Sequence, residues 1–294
     1  MSSAMLGEVS GPTGAGRGDV RGARVRLSRR DVADGALRIL RVAGVGFGEA
    51  KRAAATVEHL EIHHGRGCAS LLAALDRGAL DAGALDLVRR GERAWELDAA
   101  GVSGLVVAAR IGDLLRLTAD PVPSVVRLPG LREPAALERA MLCAAEAGVM
   151  VVGEWSTAPG GEGGRDHDVV IALPAPEPWS GPALARLRRL GPSGVRLAAA
   201  QQRAATLADL SGHDVDDEVD DEVDDRAGAV LIARVGLVHD ELDAHGLAVA
   251  GFTVESAAEL AARTEHATYS GLEVPAPLWA RFEREAKRWL VADA

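Results

Sequence analysis

Apolar residues recur at helical spacing over the first third of the chain. Ser28, followed by an acid three residues later, predicts a helix N-terminus. The positions after it repeat with a helical period: Val32, Ala36, Ile39, Leu40 and Ala43. Glycines at 44, 46 and 48 predict the end of this helix. Two further helices are predicted, one over about 49–62 and one that turns Leu71, Leu72 and Leu75 inward.

From Trp95 onward the pattern changes to short apolar runs, which are typical of strands. Strands are predicted at 105–109, 124–128, 149–152, 168–173, 229–233 and 247–250. Helices are predicted between them at 134–147, 182–190, 198–210 and 255–265, and from Pro277 onward. This order predicts an α/β fold, with α+β as the alternative: N-terminal helices followed by a mixed sheet flanked by helices.

An acidic segment changes how the net charge of −10 is interpreted. Residues 213–226 hold nine carboxylates, and without them the remainder of the chain is close to neutral. Like charges at this density favour a solvated, disordered insertion. We therefore expect a disordered tail over 1–22, a main α/β domain over 23–210 and 228–294, and a disordered insertion over 211–227. The absence of a basic patch argues against nucleic acid as a partner.

Composition also bears on location. The chain has no run of 18 apolar residues that would predict a membrane span, and its first 22 residues lack the apolar segment of a secretory signal. Cys68 and Cys143 are too far apart in sequence for a zinc pattern and do not suggest a disulfide framework. We expect a cytoplasmic protein with buried, reduced thiols and no membrane partner.

Several polar motifs have spacings that suggest chemistry, but each lacks a necessary part. His59 and His63 are four residues apart, which is a metal-ligand spacing on a helix, yet no third ligand is identifiable, so no metal site is predicted. Residues 160–164 are glycine-rich but lack the spacing of a phosphate-binding loop. The acidic segment lacks the ligand spacing of a calcium-binding loop. The sequence at 166–168, Asp-His-Asp, suits an exposed loop as well as proton transfer.

The stretch from Asp31 to Leu75 resembles the opening of the malate/L-lactate dehydrogenase family whose cofactor fold is not the ordinary Rossmann type. Family members begin with a helix ending in Ala-Gly-Val, as residues 43–45 do here, and continue with a helix that has Glu-Ala near its start, as at 49–50. A Ser-His-Gly triplet follows in the family, and this chain has His63-His64-Gly65 instead. The resemblance implies that His64 is the catalytic acid/base.

Other motifs of that family match poorly. Residues 140–152 resemble its helix and strand ending in Gly-Val-x-Val-Val. The family continues there with an Asn-His-Phe-Gly type motif, whereas this chain reads Ser-Thr-Ala-Pro at 156–159. The later cofactor motif with glycine and lysine is not evident. The residues themselves make no cofactor evident; the resemblance implies that NAD(P) is possible, with the cofactor-binding residues unknown.

A second resemblance covers more of the chain. The start at Leu27-Ser28, the two helices to Leu60 and the closing helix from Pro277 resemble an uncharacterised bacterial family of unknown function, which brings no activity with it.

Two hypotheses follow. The favoured one is a non-catalytic relative of these dehydrogenases that acts as a partner subunit, a homo-oligomer or a small-molecule binder. The alternative is an NAD(P)H-dependent oxidoreductase on a 2-oxo acid or cyclic imine, with His64 as proton donor.

Overall fold

The computed structural model describes residues 22–290 except 82, 84, 100, 122–123, 157–166, 176–180, 188–227 and 236–251. Within these ranges seven α-helices form: α1 Arg29–Val42, α2 Phe47–His64, α3 Gly67–Asp76, α4 Gly104–Thr118, α5 Leu137–Glu146, α6 Ala257–Ser270 and α7 Ala276–Lys287. The strands are β1 Arg24–Leu27, β2 Leu87–Arg89, β3 Ala94–Leu97, β4 Ser124–Pro129, β5 Val149–Ser156, β6 His167–Leu173, β7 Ala183–Leu187, β8 Gly228–Val235, β9 Thr253–Glu255 and β10 Leu272–Pro275.

The first helix begins where the sequence predicts. The Ser28 side chain accepts from the Asp31 backbone N–H at 3.1 Å, and the Asp31 carboxylate accepts from the Ser28 backbone N–H at 2.9 Å. This reciprocal cap satisfies two backbone donors that the helix itself cannot pair. The predicted apolar face of α1 is buried at Val32, Ala36, Ile39 and Leu40. Periodicity and capping therefore agree on this helix.

Eight strands form one mixed sheet in the order β2-β3-β4-β8-β5-β6-β7-β9. The β3–β4 pair is parallel, and the other neighbouring pairs are antiparallel. The first and last described strands, β1 and β10, pair antiparallel in a separate two-stranded sheet. The predicted fold class, with N-terminal helices and a mixed sheet flanked by helices, is confirmed.

The sheet has apolar side chains on two faces. Helix α5 packs against α4 and against β5 and β6, and this face joins the large core that also holds α1, α2 and α3. A second, smaller cluster lies apart from that core and contains Met150, Ile171, Leu173, Ala185 and Phe252. Alternate residues of β5 and β6 therefore contribute to different clusters, as the period of two in a strand requires.

Two predicted elements are wrong. Residues 105–109 are not a strand but the first turns of α4, whose N-terminus is capped by the Ser103 side chain. All five of these residues are buried, so their apolar run shows no period that distinguishes a helix from a strand. The predicted helix at 182–190 is also wrong, because 183–187 form β7. This strand completes its hydrogen bonds with β6 on one side and β9 on the other.

The remaining predicted elements divide into two groups. The helices at 134–147, 255–265 and from Pro277, and the strands at 124–128, 149–152, 168–173 and 229–233, correspond to observed elements within a few residues at each end. The predicted tail, the acidic insertion, the glycine-rich loop, the helix at 198–210 and the strand at 247–250 lie outside the described residues. No helix in the described ranges has both the length and the apolarity that crossing a membrane requires.

Candidate functional site

The last turns of α2 bring three histidines together. The helix buries Ala50, Ala54 and Val57 against the core and then ends at Gly65, which has a left-handed backbone conformation with φ 63°. In the final turns the His59 and His63 rings lie 4.4 Å apart between centroids, and the His59 and His64 rings lie 6.4 Å apart. The amphipathic helix thus delivers an imidazole cluster at its C-terminal end.

Glu138 faces this cluster from the first turn of α5. Its carboxylate oxygen Oε2 lies 2.8 Å from His64 Nε2, and the two side chains are only 2% and 6% exposed. An acidic residue in the first turn is favourable for the helix, because the backbone N–H groups there are unpaired and carry partial positive charge. The geometry therefore joins the predicted acid/base, His64, to a buried carboxylate.

Arg186 on β7 holds the same carboxylate from the sheet. Its Nε donates to Glu138 Oε1 at 3.1 Å, and its Nη2 donates to Oε2 at 2.7 Å, so the contact is bidentate. Arg186 also forms an ion pair with Glu255 on the neighbouring strand β9, and Glu255 Oε1 lies 2.5 Å from Arg263 Nη2 on α6. Negative and positive charges thus alternate through a network of four side chains, which begins at the buried contact with His64 and ends at the half-exposed Arg263. Its members are Glu138, Arg186, Glu255 and Arg263.

The protonation states follow from these contacts. Burial opposes ionisation of Glu138, but the hydrogen bonds and charges of His64 and Arg186 outweigh it and hold the pKa of Glu138 far below its usual range. Burial, followed by the charge of His63, lowers the pKa of His59 to about 3. Burial, followed by the charge of His64, lowers the pKa of His63 to about 4. At neutral pH, Glu138 is therefore ionised while His59 and His63 are neutral.

Within the described part of the chain, two imidazole nitrogens at this site lack hydrogen bonds. His59 Nε2 and His63 Nδ1 are both buried and have no hydrogen-bond partner among the residues that the structure describes. Buried polar atoms are normally paired, because an unpaired one loses its hydration without compensation. One ligand atom from each of His59, His64 and Glu138 also lies within 4.8 Å of the others. These distances and donor types are compatible with a metal ion.

Other candidates from the sequence do not join this cluster. Cys68 is buried beside Glu61, whose Oε2 accepts from the Cys68 backbone N–H at 2.8 Å, and burial raises the pKa of the Cys68 thiol. Cys143 is only partly buried, whereas a buried thiol was predicted, and both cysteines are free. His167 and Asp168 begin strand β6, so this pair lies at a strand end. The preceding acid at 166 lies outside the described residues.

Glu138, Arg186 and Glu255 were not predicted as site residues. Glu138 did leave a signal, because it shares a helix face with Met141 and Leu142, three and four residues later, and both are buried. An acid on an apolar face requires a partner when it is buried. Arg186 left no comparable signal, since its segment was predicted as a helix. Its contact with Glu138 depends on the strand pairing of β7.

Comparisons with known proteins give a fold and no family assignment. No family model matches the sequence, and no curated protein matches it. Solved structures with a similar fold include a dehydrogenase from Sinorhizobium meliloti, with a TM-score of 0.64 and 16% identity over 90% of this chain and 100% of that chain. Malate dehydrogenase from Pyrococcus horikoshii OT3 has a TM-score of 0.62 and 15% identity over 90% of this chain and 96% of that one.

A reductase of a cyclic imine also has this fold. The delta1-piperideine-2-carboxylate reductase from Pseudomonas syringae pvar. tomato has a TM-score of 0.58 and 14% identity, over 89% of this chain and 99% of that chain. At these identities the similarity establishes a malate/lactate dehydrogenase-like fold, which agrees with the fold that the resemblance around His64 implies. It does not assign a substrate or a catalytic residue.

Proposed function

We propose that this protein is an oxidoreductase that uses NAD(P)H to reduce a 2-oxo acid or a cyclic imine, with His64 as the proton donor. The single observation that carries the proposal is the buried contact between His64 Nε2 and Glu138 Oε2 at 2.8 Å. The dehydrogenase-like fold supports it, because solved structures with that fold include dehydrogenases and a cyclic-imine reductase. We place the reaction in the cytoplasm, in keeping with the two free thiols.

The reaction divides into a hydride transfer and a proton transfer. When bound, NAD(P)H supplies the hydride that adds to the carbon of the C=O or C=N bond. His64 donates a proton to the oxygen or nitrogen that gains the electron pair, giving a 2-hydroxy acid or a cyclic amine. The Glu138 carboxylate orients the imidazole and stabilises its positive charge before the transfer. Arg186 keeps this carboxylate in place by its bidentate contact.

The surroundings of His64 fit hydride chemistry, because the side chains of His64, Glu138 and Arg186 are at most 7% exposed. Exclusion of water strengthens the electrostatic contacts and suppresses side reactions. The residues that would bind the nucleotide stay unassigned. The roles proposed for His64, Glu138 and Arg186 are therefore confined to holding, orienting and donating a proton.

The low exposure of His64 also favours a second candidate function. A side chain that is 6% exposed and held by a buried carboxylate also suits a purely structural role. In that case the chain would be a non-catalytic relative that binds a small molecule or a partner subunit. The two candidates differ in whether NAD(P)H binds and in whether His64 affects turnover.

A cofactor-binding measurement followed by kinetics tests the proposal. We expect NADH or NADPH at millimolar concentration to raise the melting temperature of the full chain, because a ligand of the native state stabilises it. The purified protein is then assayed for reduction of a panel of 2-oxo acids and cyclic imines. The variant His64→Gln should lower kcat by about 100-fold or more, with a smaller change in KM.

The control is His266→Gln, which changes an exposed histidine on α6 and should leave the kinetics unchanged. Circular dichroism of both variants checks that the fold is retained. If neither nucleotide shifts the melting temperature, the reductase proposal is wrong and the non-catalytic function remains. Equal turnover by the wild type and His64→Gln would remove His64 from the mechanism.

A further inference from the structure

We propose that His59, His64 and Glu138 form a Zn²⁺ site, in which the metal takes the place of the proton shared by His64 and Glu138. This inference goes beyond the proposed function and does not depend on it. The site joins two residues of α2 with one residue of α5.

The geometry is already close to that of a three-ligand site. One ligand atom of each residue lies within 4.8 Å of the other two, and the His64 Nε2–Glu138 Oε2 pair is separated by 2.8 Å. Ligands at 2.0–2.1 Å from a tetrahedral zinc ion are roughly 3.3 Å apart. The wider separations therefore have to close by at most about 1.5 Å and the His64–Glu138 pair has to open by about 0.5 Å, shifts within reach of side-chain rotation.

The buried ring of His59 provides an independent observation. His59 is 8% exposed, and its Nε2 has no hydrogen-bond partner among the described residues. An apolar side chain would fill this position without that cost, so the imidazole needs another explanation. In the tautomer with the proton on Nδ1, the Nε2 of His59 offers a lone pair, and a neutral imidazole nitrogen is a common metal ligand.

The types of ligand atom favour zinc over other metal ions. Two imidazoles and one carboxylate, with a fourth position left open, match the ligands of catalytic zinc sites. Magnesium and calcium prefer oxygen ligands, and this set has only one carboxylate. The ionised Glu138 and the neutral His59 are in the protonation states that coordination requires. The positive charge of Arg186 would repel the Zn²⁺ ion, but this charge is also balanced by the carboxylate of Glu255.

Occupation of this site would compete with the proposed proton transfer. A metal on Nε2 would replace the proton of the imidazolium and leave only the Nδ1–H of His64, a far weaker acid, so Zn²⁺ would act as an inhibitor of the reductase. The binding itself is measured without cofactor or substrate. Failure of the metal site and failure of the proposed function are therefore distinguishable.

The test is Zn²⁺ binding by the chelator-stripped full chain, measured by equilibrium dialysis and by titration calorimetry. Millimolar Mg²⁺ is present throughout to occupy oxygen-only sites, including the nine carboxylates of 213–226. We expect one Zn²⁺ per chain at micromolar or tighter affinity. In His59→Leu this binding should weaken by at least about 100-fold.

Two control variants separate the site from its surroundings. His63→Leu alters the neighbouring ring and should retain binding, because His63 is not one of the three ligands. His266→Leu removes an exposed histidine and should have no effect. Equal Zn²⁺ affinity in His59→Leu and the wild type would overturn the proposal, and so would the absence of binding by the wild type.

A spectroscopic measurement keeps the proposal testable if His59→Leu does not fold. Co²⁺ bound to the wild-type chain should give the intense visible absorption of four-coordinate cobalt with nitrogen and oxygen ligands, and Zn²⁺ should displace it. The weak absorption of six-coordinate cobalt would instead show that these residues do not form the site.

Discussion

Glu133 and Glu138 lie five residues apart, and each pairs with an arginine from a distant part of the chain. Glu133 precedes a 3₁₀ turn at 134–136 and contacts Arg77 and the hydroxyl of Ser103. Its side chain is 19% exposed, and that of Arg77 is 38% exposed. Glu138 follows the same turn, yet it and its partner Arg186 are 2% and 7% exposed. One contact is close to the surface and the other is buried.

The difference in burial separates a structural contact from a candidate functional one. A partly exposed ion pair costs little to form and contributes little to stability. A buried pair must first lose the hydration of both charges, and apolar residues of similar size would often stabilise the fold as well or better. The Glu133 pair therefore forms at little cost, whereas stability does not explain the choice of charged residues around Glu138. The buried network is therefore the candidate for a functional role.

The largest expected difference is between two matched substitutions. Glu138→Gln keeps the shape but removes a buried charge that faces Arg186, so we expect the free energy of unfolding to fall by about 3 kcal/mol. Glu133→Gln should lower it by less than about 1 kcal/mol. Urea denaturation of both variants measures these values. Equal losses would show that burial does not distinguish the two glutamates.

A smaller effect is expected at the backbone beside Glu133. A Cβ at Gly104 would lie 2.5 Å from the carbonyl oxygen of Glu133 and 3.0 Å from that of Arg132. Gly104→Ala should therefore destabilise the protein by about 2 kcal/mol through overpacking. The control is Gly112→Ala in the same helix, where the nearest contact would be 3.7 Å.

Gly112→Ala should leave stability unchanged or raise it by up to about 1 kcal/mol, because alanine favours a helix interior. Thermal and urea denaturation compare the two alanine variants. If Gly104→Ala is as stable as Gly112→Ala, the close approach of Gly104 to the backbone of Glu133 does not matter for stability. If Gly104→Ala is destabilised as predicted, the backbone contacts of Glu133 contribute more to stability than its charge does.

The smallest expected effect is the contribution of His59 to the pH dependence of the unfolding free energy. Between pH 6.5 and about 3 the unfolded chain protonates His59 while the folded chain does not. The stabilising contribution of neutral His59 is therefore complete above pH 6.5 and is lost as the pH falls towards 3. The slope is about 1.4 kcal/mol per pH unit within that window. The ionisable groups that face this ring are His63, His64, Glu138 and Arg139.

The variant His59→Leu isolates this contribution. In chelator-treated samples at pH 6.5 to 5, its unfolding free energy should depend less steeply on pH than that of the wild type, by about 1.4 kcal/mol per unit. Urea midpoints across this range provide the measurement. Identical slopes for the two proteins would mean that His59 binds its proton equally well in the folded and unfolded states, which would contradict a pKa lowered by burial.

The elements that were predicted correctly have amphipathic patterns or clear end signals. Helix α1 has both, a reciprocal cap at Ser28 and an apolar face that the core buries. Helix α4 had no readable period, because its first five residues are all buried, and it was predicted as a strand. Strand β7 was predicted as a helix, since its hydrogen-bond partners are supplied by β6 and β9, both remote in sequence.

The candidate site divides in the same way. His64 was predicted from its resemblance to a family motif, and the fold around it is that of malate/lactate dehydrogenase-like structures. The pairing of His59 with His63 suggested a metal-ligand spacing without a third ligand. The structure instead combines His59 and His64 with Glu138, 74 residues from His64 in sequence. This combination of three side chains could not be predicted from spacing within one helix.

The sequence by itself determined the α1–α3 helical region and the fold class, because local periodicity and caps encode them, and a contiguous motif made His64 a candidate. Only the tertiary structure decided that His64 meets Glu138 and that Arg186 and Glu255 complete the buried network. These contacts join α2, α5, β7 and β9, which are separate in sequence. They arise from helix packing and strand register, and both depend on the whole chain closing around a common core.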